Sequence, residues 1–181
     1  MQSEIVNTPK SGLVMVITGN GKGKTTSAFG QALRAVGQGH KVCIIQFMKG
    51  RKYGEVLAIE KYLPAITIIQ SGLDSFVMRD NPAPIDVDLA RQGFEKAKEV
   101  IHSKKYEMVI LDEINVAADF NLIPEEEILE LIRNKPPELF LLLTGRYASE
   151  QLKEMADMVS DVNEIKHHYY AGVKEQAGIE Y

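Results

Sequence analysis

Apolar and polar positions divide this chain into short buried-type runs separated by amphipathic stretches. Leu13-Val14-Met15-Val16-Ile17 has the length and β-branched content of a buried strand. Similar runs recur at 41–47, 66–70, 108–111 and 139–143, and a last strand is expected over 158–165. Helical patterns lie between them. Ala28, Ala32 and Val36 share one face beside Phe29 and Leu33, and Ala90, Phe94, Ala97 and Ile101 keep helical register over 86–103. Further helices are expected over 54–63, from Pro124 onward, and over 149–157. Gly37-Gln38-Gly39-His40, Pro64 and Pro136-Pro137 supply the stops. Strands alternating with helices at these spacings predict an α/β fold, a three-layer, mostly parallel sheet with helices on both faces. Residues 1–11 lack periodicity and read as a loose N-terminal arm, leaving 12–181 as a single domain.

The stretch 71–85 is the longest without a regular pattern. Its apolar members Leu73, Phe76, Val77 and Met78 either tuck beneath the domain or cover a ligand, since long loops in compact domains tend to be binding loops.

Between the first strand and the first helix stands Thr18-Gly19-Asn20-Gly21-Lys22-Gly23-Lys24-Thr25-Thr26. Strand, glycine-rich turn and helix make a phosphate-binding loop of the P-loop nucleotide-binding type. Glycines let several backbone N–H groups turn toward one anion, and the helix N-terminus adds partial positive charge. Lys24 is placed to reach the phosphates and the Thr25 hydroxyl stands where a magnesium ligand belongs. The usual pattern is G-x-x-x-x-G-K-[ST], and here its first position is Thr18, with Gly19 one residue late. The loop is therefore expected to bind phosphate without requiring the usual kinase or ATPase pose.

In a parallel sheet, ligands gather outside the C-terminal ends of the strands. Three more polar clusters follow strand ends: Met48-Lys49-Gly50-Arg51-Lys52, Asp112-Glu113 and Thr144-Gly145-Arg146. All four should converge on one crevice. Asp112-Glu113 is the acidic companion that would hold magnesium opposite Thr25, and Arg146 is a phosphate clamp by position. Arg34, ten residues beyond Lys24, is either a second clamp or a solvated helix residue. The acidic run Glu125-Glu126-Glu127 reads as helix-dipole compensation in preference to a metal site.

Composition narrows the setting. With 181 residues, 45% hydrophobic and 25% charged, the chain fits one ordinary globular domain. Its net charge of −4 gives no sign of a nucleic-acid partner or an anionic membrane. The single cysteine, Cys43, rules out a disulfide framework and suits a reducing cytoplasm. No signal-like or membrane-length apolar run is seen, and cytoplasmic localisation is expected. His40, His102, His167 and His168 are too scattered in sequence for a zinc site. No nucleophile–base pair stands out, so an enzyme here would work by positioning and charge neutralisation. On these features alone the chain is a phosphotransferase or NTPase, an ATP-binding switch module, or another ATP-using enzyme.

The spelling of the motifs goes further. Gly-Asn-Gly-Lys-Gly-Lys-Thr-Thr ending at Thr26, Phe29-Gly30, Arg34 through Gly39, Gln46-Phe47-Met48-Lys49-Gly50, Leu111 through Ile114, and Thr144 through Arg146 closely resemble P-loop ATP:corrinoid adenosyltransferases. Ala156-Asp157, Lys166-His167, Gly172-Val173 and Gln176 through Tyr181 match as well, so the likeness runs from about residue 12 to Tyr181. The resemblance implies transfer of the 5′-deoxyadenosyl group of ATP to the cobalt of a reduced corrinoid, cob(I)alamin or a related compound, releasing triphosphate. It implies that ATP lies in a reversed direction along the loop, which gives sense to the displaced glycine. It places Gly19, Asn20, Gly21, Lys22, Gly23, Lys24, Thr25 and Thr26 around the phosphates. Thr25 and Glu113 would take Mg2+, and Lys24, Arg34 and Arg146 would contact the triphosphate. Members commonly carry Gly-Phe-x-Trp after the third strand, where an aromatic pair packs on the corrin. Here the segment reads Gly72-Leu73-Asp74-Ser75-Phe76 and the chain has no tryptophan, so Leu73 and Phe76 are the implied corrinoid contacts. The family also implies an electron-donor flavoprotein and a homodimer.

Overall fold

The computed structural model describes residues 11–181; the expected arm lies, apart from Ser11, outside them. Six strands are formed: β1 Val14–Thr18, β2 Val42–Phe47, β3 Ile66–Ser71, β4 Met108–Asp112, β5 Phe140–Thr144 and β6 Met158–Asp161. They make one sheet in the order β3-β2-β4-β5-β1-β6, and every pairing is parallel. The chain leaves β1 through α1 (Lys24–Gly37) and enters β2 on the far side of β4 and β5. That jump opens a crevice at the C-terminal ends of the central strands.

Strand side chains alternate between two cores because the pleat has period two. One core takes Cys43, Ile45, Phe47, Val109, Leu111, Leu141 and Leu143. It is covered by α3 (Pro84–His102), α4 (Ile114–Asp119), α5 (Glu125–Arg133) and α6 (Glu150–Met155). The other takes Val42, Ile44, Met108, Ile110 and Leu142 under Ala28, Phe29, Ala32 and Ala35 of α1 and Ile59 of α2 (Gly54–Tyr62). Helices thus cover both faces. Cys43 is fully buried and its thiol is pushed up to about 12 by burial, consistent with a small core residue.

Two local readings change. Leu33 faces solvent at 54% exposure, because α1 needs only its alanine and Phe29 stripe against the sheet. The last strand stops at Asp161, and the chain then turns across the glycine loop instead of continuing along β1. One short helix, α4, was not distinct in the hydrophobic pattern, since six residues hold too few turns to show a period.

Candidate active site

The glycine loop leaves β1 under tight constraint. The Gly21 N–H donates to the Val162 carbonyl at 2.7 Å as the segment after β6 crosses over the loop. A Cβ on Gly19 would lie 2.3 Å from Asp161 Oδ1, and one on Gly21 would lie 2.8 Å from the Asn163 backbone. Those two glycines are therefore needed for the crossing itself, apart from any ligand. Gly23 has φ +118 with open space around it, which is the turn that aims α1 at the cleft. No side chain caps α1. Its first-turn N–H groups are left for an anion, and its positive dipole end faces the same way. The Lys24 ammonium folds back onto the Gly21 carbonyl at 2.7 Å. Burial, chiefly, lowers its pKa; Glu113 opposes that shift, and the Arg146 and Lys49 charges add to it.

Beside the loop lies a polar knot built on Asp112, which ends β4 and is fully buried. Its Oδ1 accepts from Thr25 Oγ1 at 3.0 Å and from Thr144 Oγ1 at 2.7 Å. Its Oδ2 accepts from Gln46 Nε2 at 3.0 Å and from Lys49 Nζ at 2.8 Å. Burial acts to raise the Asp112 pKa, but the Lys49 charge and the bonds from Lys49, Thr144 and Gln46 hold it below the usual carboxylate value. Glu113 moves the other way: burial and the neighbouring Asp112 raise it despite Lys49. The Lys49 ammonium loses by burial but gains more from Asp112 and Glu113, so its pKa is raised. Lys49 Nζ also reaches Thr25 Oγ1 at 3.1 Å and Glu113 Oε1 at 3.7 Å.

Backbone geometry at the strand ends aims these groups. Met48 (φ 58), Glu113 (φ 64) and Tyr147 (φ 64) all occupy the left-handed region and flank the crevice after β2, β4 and β5. Such residues cost about 1–3 kcal/mol each and persist where the surroundings determine them. At Glu113 the surroundings include the Thr144 hydroxyl, which accepts its N–H at 3.1 Å. The buried Asn115 side chain donates to the Gly145 carbonyl at 3.1 Å and fixes the turn that carries Arg146.

The expected convergence is present. A cavity of about 840 Å³ is lined by residues 20–26, Lys49, Glu113 and Arg146, with Phe76 at its edge. Arg34 does not join them. The helix rises 1.5 Å per residue, so it stands about 15 Å along α1 from Lys24, exposed on the last turn. Leu73 is exposed and outside the lining, whereas Phe76 is 99% exposed at the cavity mouth. Of the alternatives for loop 71–85, Val77 alone packs partly against the core. The run Glu125-Glu126-Glu127 fills the first turn of α5.

Two contributions escaped the sequence reading. The first is Lys49, read only as part of a basic loop; its position in Gln-Phe-x-Lys-Gly directly after β2 was the available signal. The second is the C-terminal segment, where Glu164, His167, Glu175, Glu180 and Tyr181 line the same cavity. The Tyr181 ring lies 5.2 Å from the Arg51 guanidinium, and His168 Nε2 is 3.0 Å from Glu180 Oε1. With His167 these two form a trio whose ligand atoms lie within 4.8 Å, which the scattered histidines had not suggested.

The Thr25 lone pair, one Asp112 oxygen and one Glu113 oxygen all face the Lys49 ammonium. That oxygen set around a cation suits Mg2+, which prefers hard oxygen ligands. No helix among the described residues is long and apolar enough to cross a membrane.

Comparison with known proteins agrees with this geometry. Residues 10–181 match the model of the family described as ATP:corrinoid adenosyltransferase BtuR/CobO/CobP. A corrinoid adenosyltransferase from Sinorhizobium sp. is 36% identical over 176 residues, covering 96% of this chain and 82% of that protein. One from Escherichia coli K12 is also 36% identical, covering 94% and 86%. Among solved structures, the RadB recombinase superposes with a TM-score of 0.56 at 14% identity, over 87% of this chain and 77% of that one, a likeness of fold alone. Through its full described length the chain belongs to the ATP:corrinoid adenosyltransferase family.

Proposed function

We propose that this protein transfers the 5′-deoxyadenosyl group of ATP to the cobalt of a reduced corrinoid. One observation beyond family membership carries the reading: the cavity lined by the uncapped glycine loop also reaches Phe76, a fully exposed aromatic. With Leu73 and Met78 also exposed on the same loop, the ring belongs to an apolar patch of the kind that marks a contact surface. A nucleotide held by its phosphates and a flat macrocycle resting on that rim would share one cleft.

In the reaction the cobalt(I) electron pair attacks C5′ of the ribose and forms the cobalt–carbon bond. The C5′–O bond breaks, its electrons leave with the triphosphate, and cobalt ends as an alkylated cobalt(III). Charge therefore gathers on the leaving triphosphate. The α1 N-terminus, Lys24 and Arg146 would neutralise it, and residues 19–26, of which 20–26 line the cavity, would orient the chain of phosphates. Thr25 and Glu113, with Asp112 behind them, would hold Mg2+, which supplies further neutralisation of the phosphates. Phe76 would pack on the corrin, with Leu73 beside it. Arg34, exposed on α1, has no part in the cleft of the single chain. The protein would act in the cytoplasm as a homodimer, with a flavoprotein keeping the corrinoid reduced.

The test is anaerobic. The protein is mixed with Mg-ATP and chemically reduced cob(I)alamin, and the visible spectrum and phosphate products are followed. A light-sensitive alkyl-cobalt spectrum with inorganic triphosphate is expected. ADP or inorganic phosphate without the alkyl spectrum would overturn the reading in favour of an NTPase.

A further inference from the structure

We propose that Lys49 is a built-in cation that holds the metal position closed until metal and nucleotide enter together. This rests on the assignment of Thr25 and Glu113 to Mg2+. The ammonium sits 2.8 Å from Asp112 Oδ2, 3.1 Å from Thr25 Oγ1 and 3.7 Å from Glu113 Oε1. Magnesium would need the Thr25 and Glu113 oxygens at about 2.0–2.1 Å. Two cations cannot share that space, so loading the metal displaces the ammonium.

The surroundings make the exchange a side-chain motion. Met48, in the left-handed region, donates its N–H to the Ser71 carbonyl at 3.0 Å. A Cβ on Gly50 would lie 2.7 Å from the Gly72 carbonyl, so the 48–50 loop is clasped between its neighbours. The backbone of Lys49 is pinned on both sides, while its four-carbon stem can swing. The only charged group bonded to Asp112 among the described residues is this ammonium. It neutralises a carboxylate that would otherwise be buried alone, and a departing ammonium can turn to the incoming phosphates beside Lys24. Metal affinity is thereby linked to nucleotide affinity, for any displaced cation couples the two ligands. The site is kept from taking a free divalent ion in the absence of ATP.

Manganese(II) serves as the probe, read by the loss of its free EPR signal on titration into the full protein. Without nucleotide, wild type is expected to bind Mn2+ weakly and Lys49→Met at least about tenfold more tightly, a coupling within the usual range for linked sites. A thermal melt gives the second readout: Mn2+ alone should raise the melting temperature of Lys49→Met and leave wild type unchanged. If Lys49→Met does not fold, Lys49→Gln keeps a donor for Asp112 without the charge and answers the same question. Equal Mn2+ affinity in wild type and the neutral variant would overturn the proposal. Glu113→Gln separates the two failures. If it still takes up Mn-ATP with wild-type affinity, the metal assignment itself is wrong; if it loses Mn-ATP while Lys49 variants behave as wild type, only the role of Lys49 falls.

Discussion

Thr144→Val isolates the polar knot from the phosphate loop. The substitution keeps the volume nearly constant but removes a hydroxyl that works in both directions. As donor it gives Asp112 Oδ1 a 2.7 Å bond, and as acceptor it takes the Glu113 N–H at 3.1 Å. A hydrogen bond to a charged group contributes about 1.5–3 kcal/mol, and a buried donor left unmade costs about 1–3 kcal/mol. Asp112 keeps three other donors and Glu113 is partly exposed, so the sum falls near the low end, about 2.5–4 kcal/mol. A domain of this size shifts by about 2–4 °C per kcal/mol, so the melting temperature should fall by roughly 5–15 °C. Thr144→Ser retains the hydroxyl and should lose far less. Differential scanning calorimetry on the three proteins reads the effect. A Thr144→Val protein melting within about 2 °C of wild type would refute the view that this hydroxyl holds the acidic pair in place.

Three further outcomes are expected. Lys24→Ala should weaken ATP binding by about a hundredfold in calorimetric titration, the cost of truncating one partner of a close charge contact. Its stability should hold, because burial already disfavours the Lys24 charge in the folded protein; normal turnover would sink the loop assignment. Phe76→Ala should leave the melting temperature unchanged, since the ring is 99% exposed, and should impair adenosylation of cobalamin more than ATP affinity; equal losses in both would show that the ring has no special tie to the corrinoid. Asp112 has a folded-state pKa below its ordinary 3.8, so its stabilisation is complete above that value and is lost as pH falls through the folded pKa. Asp112→Asn should therefore be less stable than wild type near neutrality, with the gap narrowing in acid below about pH 4; a gap independent of pH in urea titrations would contradict the sign.

Much of this was legible in one dimension, for identifiable reasons. Strand runs such as Val42–Phe47 are short, apolar and β-branched because both faces of a parallel sheet are buried, and that composition is a property of the segment alone. The glycine loop is legible because Gly19, Gly21 and Gly23 meet backbone demands that few other residues can satisfy, so the motif carries its own geometry. The convergence of four polar clusters at the strand ends follows from parallel pairing, while the order β3-β2-β4-β5-β1-β6 came only with the structure.

What the tertiary structure decided is which members of those clusters meet. Sequence position favours Arg146 and leaves Arg34 open as a second clamp or a solvated residue; α1 carries Arg34 away from the cleft while the Gly145 turn delivers Arg146 into it. Lys49 looks like one of several basic loop residues until β2 pairs with β4 and brings its ammonium to Asp112, 63 positions away. The C-terminal segment has no hydrophobic period to announce it, and its place over the cleft comes from single contacts such as Tyr181 with Arg51 and the Gly21 N–H with the Val162 carbonyl. Secondary structure is encoded locally by periodicity and turn chemistry. The pairing of charges across strands depends on register and on left-handed backbone at Met48 and Glu113, which only the assembled sheet imposes.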